Sequence, residues 1–253
     1  MNPVDLSIII PAYNEERRLG GSLHAILAYL ARQPYSSEII VVDDGSQDAT
    51  TQVAASFSGH QPKVQLLRNG RNRGKGYSVR KGFLRAKGKY LLFSDADLST
   101  PIEEVERLVA CLRDGYDIAV GSRALAESRI EVRQPWYRQN MGRLFNVLVQ
   151  ALILRGIQDT QCGFKCFRRE AAVEICRRMR CERFAFDVEM LYLAHVMGYR
   201  VAEVPVVWRN SPETKVHAIR DSAAMFADLL AIRSNHFRGR YAIGRAVSRQ
   251  ITA

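Results

Sequence analysis

The sequence predicts an α/β protein with a doubly wound, mostly parallel sheet and helices on both faces. Three observations lead there. Short β-branched runs alternate with longer amphipathic stretches through residues 1–123. The runs are apolar throughout rather than at every second residue, so both their faces must be covered. The residues just past them are polar or flexible, as at the carboxyl ends of strands in an open sheet where ligands gather.

The elements follow in order. LSIIIPAY reads as a strand and EERRLGGSLHAILAYLARQ as an amphipathic helix. SEIIVVDDGS is a second strand, followed by a helix over 48–57. KVQLLRN and GKGYSVRKGFLRAKG form a third pair. KYLLFSDAD is a fourth strand, with a helix over 101–113 that the start signals Ser99-Thr100-Pro101 and Glu103 announce. A fifth strand, YDIAVGSR, ends this half. Beyond Arg123 the pattern changes. A basic stretch leads into an apolar helix over 144–154, then GIQDTQCGFKCFRRE, which has no clear period. Helices over 170–179 and 187–198, a strand at YRVAEVPVVW and a helical tail from Arg233 complete the chain. We expect one domain over 1–235, with a nucleotide half (1–123) and an acceptor half (124–235), and a basic tail over 236–253.

The 253 residues are 47% hydrophobic and carry a net charge of +11. Residues 1–120 hold 15 Lys and Arg against 14 Asp and Glu, whereas 121–253 hold 22 against 12. The basic second half suits an anionic partner, a phosphorylated substrate or an anionic membrane surface. The interleaved aromatics of a nucleic-acid surface are missing, which argues against that partner. Five cysteines, an odd number, and the absence of a secretory signal point to free thiols in the cytoplasm. Cys162 and Cys166 lack a second pair that would complete a zinc site. No apolar run approaches the ~20 residues needed to cross a bilayer. The 144–154 helix fits either the core or a membrane surface.

Three strand ends carry candidate chemistry. Asp95 and Asp97 of SDAD stand one residue apart, where both can reach one hard cation such as Mg²⁺ or Mn²⁺; a solvated loop with a helix cap is the alternative. Asp43 and Asp44 of VVDDGS can accept hydrogen bonds from a base or ribose, or serve the turn. In RNGRNRGKG, glycines among Arg68, Arg71, Arg73 and Lys75 allow a close phosphate approach at a helix start. The loop has neither the Walker A nor the Rossmann spacing.

In their order and spacing, SIIIPAYNEERRL, EIIVVDDGSQDAT, RNRGKGYSVRKG, SDADLSTP and GSR resemble family 2 glycosyltransferases of the GT-A fold. GIQDTQCGFKCF, ERFAFDVEMLYLAHVMGYRVAEVPVVW and TKV are similar to dolichyl-phosphate β-glucosyltransferases, relatives of dolichyl-phosphate mannose synthases. The resemblance implies an inverting transfer of glucose from UDP-glucose to a polyprenyl phosphate. The alternatives are a GDP-mannose-dependent version and a soluble enzyme extending a polysaccharide. Pro11, Tyr13, Glu15, Asp43, Asp44, Lys75, Gly76, Asp95, Ala96 and Lys215 would then surround the nucleotide sugar, with Mg²⁺ or Mn²⁺ on Asp95 and Asp97. Arg123, Arg133 and Arg138 would grip the acceptor phosphate, and Asp159 and Gln161 would stand on the acceptor side with Arg123. Asp159 would orient the acceptor, or act as base if the acceptor is a hydroxyl. Thr214 stands where the family usually has Ser before the Lys. Many relatives carry a membrane anchor that this sequence does not display, so we expect a peripheral enzyme at the cytoplasmic face of a membrane, docked through its basic half.

Overall fold

The computed structural model describes residues 4–132, 134–211 and 218–241. A seven-stranded sheet is built from β1 (Leu6–Ala12), β2 (Ser37–Asp43), β3 (Lys63–Arg68), β4 (Tyr90–Ser94), β5 (Ile118–Ser122), β7 (Phe164–Arg168) and β8 (Val201–Pro205), in the order β3-β2-β1-β4-β7-β5-β8. All its pairings are parallel except those of β7, which runs antiparallel to both β4 and β5. A two-stranded ribbon joins β6 (Arg129–Val132) to β9 (Val207–Arg209). The helices are α1 (Leu19–Leu30), α2 (Thr50–Ser56), α3 (Lys75–Arg85), α4 (Val105–Arg113), α5 (Trp136–Leu152), α6 (Arg169–Arg178), α7 (Phe186–Val196) and α8 (Ala218–Phe237).

The continuous apolar strands bury both their faces, as expected. Ile8 and Ile10 pack with α1 and α4, while Ile9 packs on the other side with α3, α6 and α7. Each such side chain contributes roughly 1.5–3 kcal/mol by leaving water. The chain winds outward from β1 to β3, then returns to place β4 on the other side of β1. The carboxyl ends of β1 and β4 therefore diverge at a topological switch point, where a crevice opens.

Four expectations need correction. The fifth strand's neighbour is β7, drawn from GFKCF, where no strand was expected. Its apolar run is broken by Lys165, which hid the strand from a pattern reading. Helix α1 starts at Leu19, not near Glu15, because residues 13–16 are zipped to the loop after β2. There Asn14 adopts φ 53°, its Oδ1 accepts the N–H of Gln47 (2.8 Å), and the Glu15 N–H donates to Thr50 Oγ1 (2.6 Å). Helix α5 begins at Trp136 and ends at Leu152, a turn or more before the expected start. Helix α8 begins at Ala218 and runs through positions 235 and 236, and Tyr241 beyond it is buried with its hydroxyl donating to Glu189 (2.8 Å).

All five thiols are free, and burial pushes Cys162 up to about 11. No described helix is long and apolar enough to cross a membrane.

Candidate active site

The carboxyl ends of β1, β2, β4 and β5 bring most of the candidate residues into one crevice. Asp95 follows β4, and its N–H donates to the Gly163 carbonyl (3.0 Å). Lys75 Nζ stands 2.6 Å from Asp95 Oδ1, an ion-pair contact whose angles leave that buried oxygen without a directed hydrogen bond. Asp97 keeps Oδ1 on the N–H of Ser99 (3.0 Å), while its Oδ2 lies 3.5 Å from Arg18 Nη1. Each member of the crowded pair thus has a cation at its side, Lys75 for one and Arg18 for the other. Burial draws the Lys75 pKa down, but Asp95, Asp187 and Asp97 outweigh it and the net direction is up.

Arg18 was missed in the sequence, where it reads as a helix charge. Its guanidinium forks onto Glu15 (both contacts 2.8 Å) and reaches Ser211 Oγ (2.9 Å), joining the loops after β1, β4 and β9. Pro11 is buried at the end of β1, and Tyr13 and Glu15 are half-buried beside it. Ala96 is buried, its carbonyl accepting from Ser22 Oγ (2.7 Å).

Asp43 and Asp44 are both buried and hold loops together. Asp43 accepts from the Ser46 N–H (2.9 Å) and the Thr51 hydroxyl (2.5 Å). Burial opposes its ionisation, but these bonds and Arg68 hold its carboxyl below the usual range. Asp44 accepts from Asn69 Nδ2 (2.7 Å) and from the N–H groups of Arg73 (3.0 Å) and Gly74 (2.7 Å). The basic loop is therefore anchored by Asp44. Its glycines serve packing: a Cβ on Gly74 would meet the Glu182 carbonyl at 2.3 Å, and one on Gly76 the Phe186 side chain at 2.5 Å. What the loop delivers is Lys75.

On the acceptor side, Arg123 closes a two-point fork on Asp159, Nε to Oδ2 (2.7 Å) and Nη2 to Oδ1 (2.8 Å), and its backbone N–H adds a third bond to Oδ2 (2.9 Å). The Gln161 N–H also points to Oδ1 (3.2 Å). Burial alone would raise the Asp159 pKa, but the Arg123 charge and hydrogen bonds bring it to about 2. Glu203 of β8, another residue the sequence reading passed over, accepts the N–H groups of Gln158 (2.9 Å) and Asp159 (2.8 Å). The Arg123 guanidinium lies 5.5 Å from the Trp208 ring. Trp208 in turn lines a small cavity with Asp95, Ser99, Thr100 and Gly163, so the two ends of the site adjoin. A larger hollow of about 310 Å³, between Tyr35, Lys89, Glu106 and Arg113, opens at the opposite, amino end of the strands. Arg133 and Lys215 lie outside the described residues, and Arg138 falls on α5 with its side chain outside them.

Because the folded-state pKa of Asp159 is depressed from 3.8 to about 2, the Arg123 contact contributes stability at neutral pH that is lost as pH falls through that interval. The contribution is about 2 kcal/mol. Acid titration of Asp159→Asn, followed by circular dichroism, is expected to lack this component of the stability loss.

Gly163 is a further residue the sequence did not single out. A Cβ there would stand 1.9 Å from Asp95 Oδ2. Gly163→Ala is expected to keep the thermal midpoint yet push the carboxylate aside and lower kcat about 100-fold; a parental rate would show that Asp95 need not stand where it does.

Among the described residues, no group of three or more His, Cys, Asp or Glu is placed to hold a metal. Two carboxylates with an undirected buried oxygen fit a hard divalent ion that takes its remaining ligands from water and substrate phosphates.

Residues 7–176 match the family model described as Glycosyl transferase family 2. The chain is 38% identical to the dolichyl-phosphate beta-glucosyltransferase of Dictyostelium discoideum over 94% of its own length and 77% of that protein's. It is 37% identical to the human protein of the same name, over 92% and 76%. Among solved structures, mannosyl-3-phosphoglycerate synthase from Rubrobacter xylanophilus has a TM-score of 0.69 at 22% identity, covering 94% of this chain and 76% of that one. Glucosyl-3-phosphoglycerate synthase from Mycobacterium tuberculosis, solved with UDP, gives 0.66 at 18%, covering 96% and 82%.

Proposed function

The chain belongs to glycosyltransferase family 2, and on that premise we propose that it transfers glucose from UDP-glucose to a polyprenyl phosphate, with inversion, giving a β-linked lipid phosphate sugar. It is a glycosyltransferase of the GT-A fold, similar over most of its length to dolichyl-phosphate beta-glucosyltransferases. The observation that carries the acceptor half of the reading is the state of Asp159. With its oxygens held by Arg123 and its pKa near 2, it is a poor base. An acceptor hydroxyl needs a base to take its proton, whereas a phosphate monoester is already anionic near neutral pH. The site is built for the second.

In this reading Asp95 and Asp97 would hold Mg²⁺ or Mn²⁺, which would supply positive charge for the leaving diphosphate. Lys75 adds a cation beside it. Pro11, Tyr13, Glu15, Asp43, Asp44, Gly76, Ala96 and Lys215 frame the nucleotide sugar. Arg123, held by Asp159 with Gln161 nearby, would meet the acceptor phosphate, and the resemblance assigns Arg133 and Arg138 to the same phosphate. Positioning and electrostatics then supply most of the rate.

The acceptor is lipid-borne, and α5 and α8 suit a surface approach at the cytoplasmic face of a membrane. They pack against each other and expose Trp136, Leu144 and Val147 on one, Phe226, Leu230 and Phe237 on the other. The spacing of the α8 residues, at i, i+4 and i+11, makes one stripe.

The test is to incubate the protein with Mg²⁺, a polyprenyl phosphate in anionic liposomes and a panel of labelled nucleotide sugars. Lipid-linked glucose from UDP-glucose, with the protein sedimenting with the liposomes, is the expected result. Product from GDP-mannose instead would transfer the reading to the mannosyl alternative, and no lipid product from any donor would overturn it.

A further inference from the structure

Lys165 interrupts an apolar strand and is fully buried, and the chemistry described so far gives it no part. The strand register places it opposite Phe93 of β4 on one side and Val120 of β5 on the other, in the middle of the sheet. Its Nζ donates to Asp187 Oδ1 (2.5 Å) and to the Cys162 carbonyl (2.6 Å), and lies 5.8 Å from the Phe93 ring, over which Lys75 also sits at 5.2 Å. Asp187, buried in the first turn of α7, is where the helix dipole favours an anion.

A buried ion pair is a poor way to stabilise a fold. Desolvation takes back most of the attraction, and apolar residues of similar volume commonly serve as well or better. The position of this pair suggests what it does instead. The loop 159–163 carries Asp159 at one end and Gly163 at the other. Glu203 holds its first N–H groups. At its far end, Lys165 holds the carbonyl of Cys162, and the next residue accepts the Asp95 N–H and leaves room for the Asp95 carboxylate.

We propose that Lys165 and Asp187 form a positioning pair that fixes the loop 159–163 between Asp95 and the Arg123–Asp159 fork, and so sets the distance from the metal-diphosphate end of the site to the acceptor end. The inference rests on the reading of those two ends given above. Neither residue touches a reacting atom. Lys165 acts through the Cys162 carbonyl and the Gly163 backbone, and Asp187 acts by holding Lys165, its charge also bearing on Lys75.

The experiment replaces both charges together, as Lys165→Met with Asp187→Leu, leaving no orphaned ion. Three quantities are read: the thermal midpoint, Mn²⁺ binding measured by titration in the presence of UDP, and kcat. A purely structural pair predicts a folded protein with parental kcat and Mn²⁺ affinity, and that outcome overturns the proposal. The positioning role predicts a midpoint at or near the parental one, an Mn²⁺ dissociation constant raised about tenfold, and kcat lowered about 100-fold by misplacement of the reacting groups. Should the double variant fail to fold, Asp187→Asn keeps an acceptor oxygen for Lys165. Its kcat is expected to fall about tenfold, and parental kcat and Mn²⁺ affinity there would overturn the proposal equally. If the parent enzyme makes no lipid-linked product from any donor, the functional reading fails, and the Mn²⁺ titration of the variants still decides the positioning role.

Discussion

Asp95→Asn is expected to lower kcat by about three orders of magnitude, the loss of several kcal/mol of charge stabilisation on the leaving diphosphate. The substitution keeps the size of the side chain and its backbone bond to Gly163. What it removes is the charge that faces Lys75 at 2.6 Å and would meet the metal. Two consequences distinguish this from a general loss of structure. The thermal midpoint should fall only modestly, because Asp95 Oδ1 makes no directed hydrogen bond and Lys75, which loses this ion pair, keeps the charges of Asp187 and Asp97 nearby. The Mn²⁺ dissociation constant should rise together with the fall in kcat, while Asp97→Asn should weaken the metal less, since Asp97 is held at 3.5 Å by Arg18 and by one backbone bond. A folded Asp95→Asn enzyme working within about tenfold of the parent would remove the metal role from this pair.

Arg123→Lys and Asp159→Asn should each lower kcat by about 10²- to 10³-fold, and the double variant should be scarcely worse than the more damaged single one. Lysine is a point charge and cannot reproduce the fork that Arg123 makes with both oxygens of Asp159. Asparagine keeps one acceptor and loses the charge that orients the guanidinium. Since the two act as a unit, a double-mutant cycle should give a coupling close to the smaller single effect, about 3–4 kcal/mol. The acceptor KM should rise in both singles while the donor KM changes little. The rival role of Asp159 as a base makes a different forecast: Asp159→Asn alone would abolish turnover, Arg123→Lys would retain most of it, and the effects would add.

Much of this site was visible in the chain, for a specific reason. The carboxyl end of a parallel strand must leave the sheet in a short turn, and ligand-facing residues collect there. Asp95, Asp97, Lys75 and Arg123 therefore lie within three residues of a recognisable strand or helix boundary. The same logic exposed the limits. Asp44 was singled out beside Asp43 for a nucleotide, but its carboxylate also anchors the basic loop, a contact with residues 69–74 that no local pattern announces. Gly74 and Gly76 matched a phosphate loop, and the structure accounts for them through the backbone and side chains of residues 181–186.

The residues missed altogether share one feature. Apart from Gly163 they are charged groups, Arg18, Lys165, Asp187 and Glu203, each with at least one partner distant in sequence (Asp97 and Ser211 for Arg18, beside its near neighbour Glu15), and each reads locally as a helix or strand charge. Lys165 and Glu203 did leave a trace, as single charges inside apolar runs that burial would penalise unless a partner waits.

Alone, the sequence determined the alternation of strands and helices, the double-sided burial of the sheet and the family, because hydrophobic period and motif spacing are local or one-dimensional properties. It also placed the two aspartates of the SDAD loop at a strand end. Only the tertiary structure decided that an antiparallel strand from GFKCF enters between β4 and β5, and with it that Gly163, Lys165 and Asp159 reach the switch point. Long-range pairing fixes that arrangement: register and ion-pair partners are set by which segments meet across the sheet, and a charge shows its role only when its counter-charge is in place.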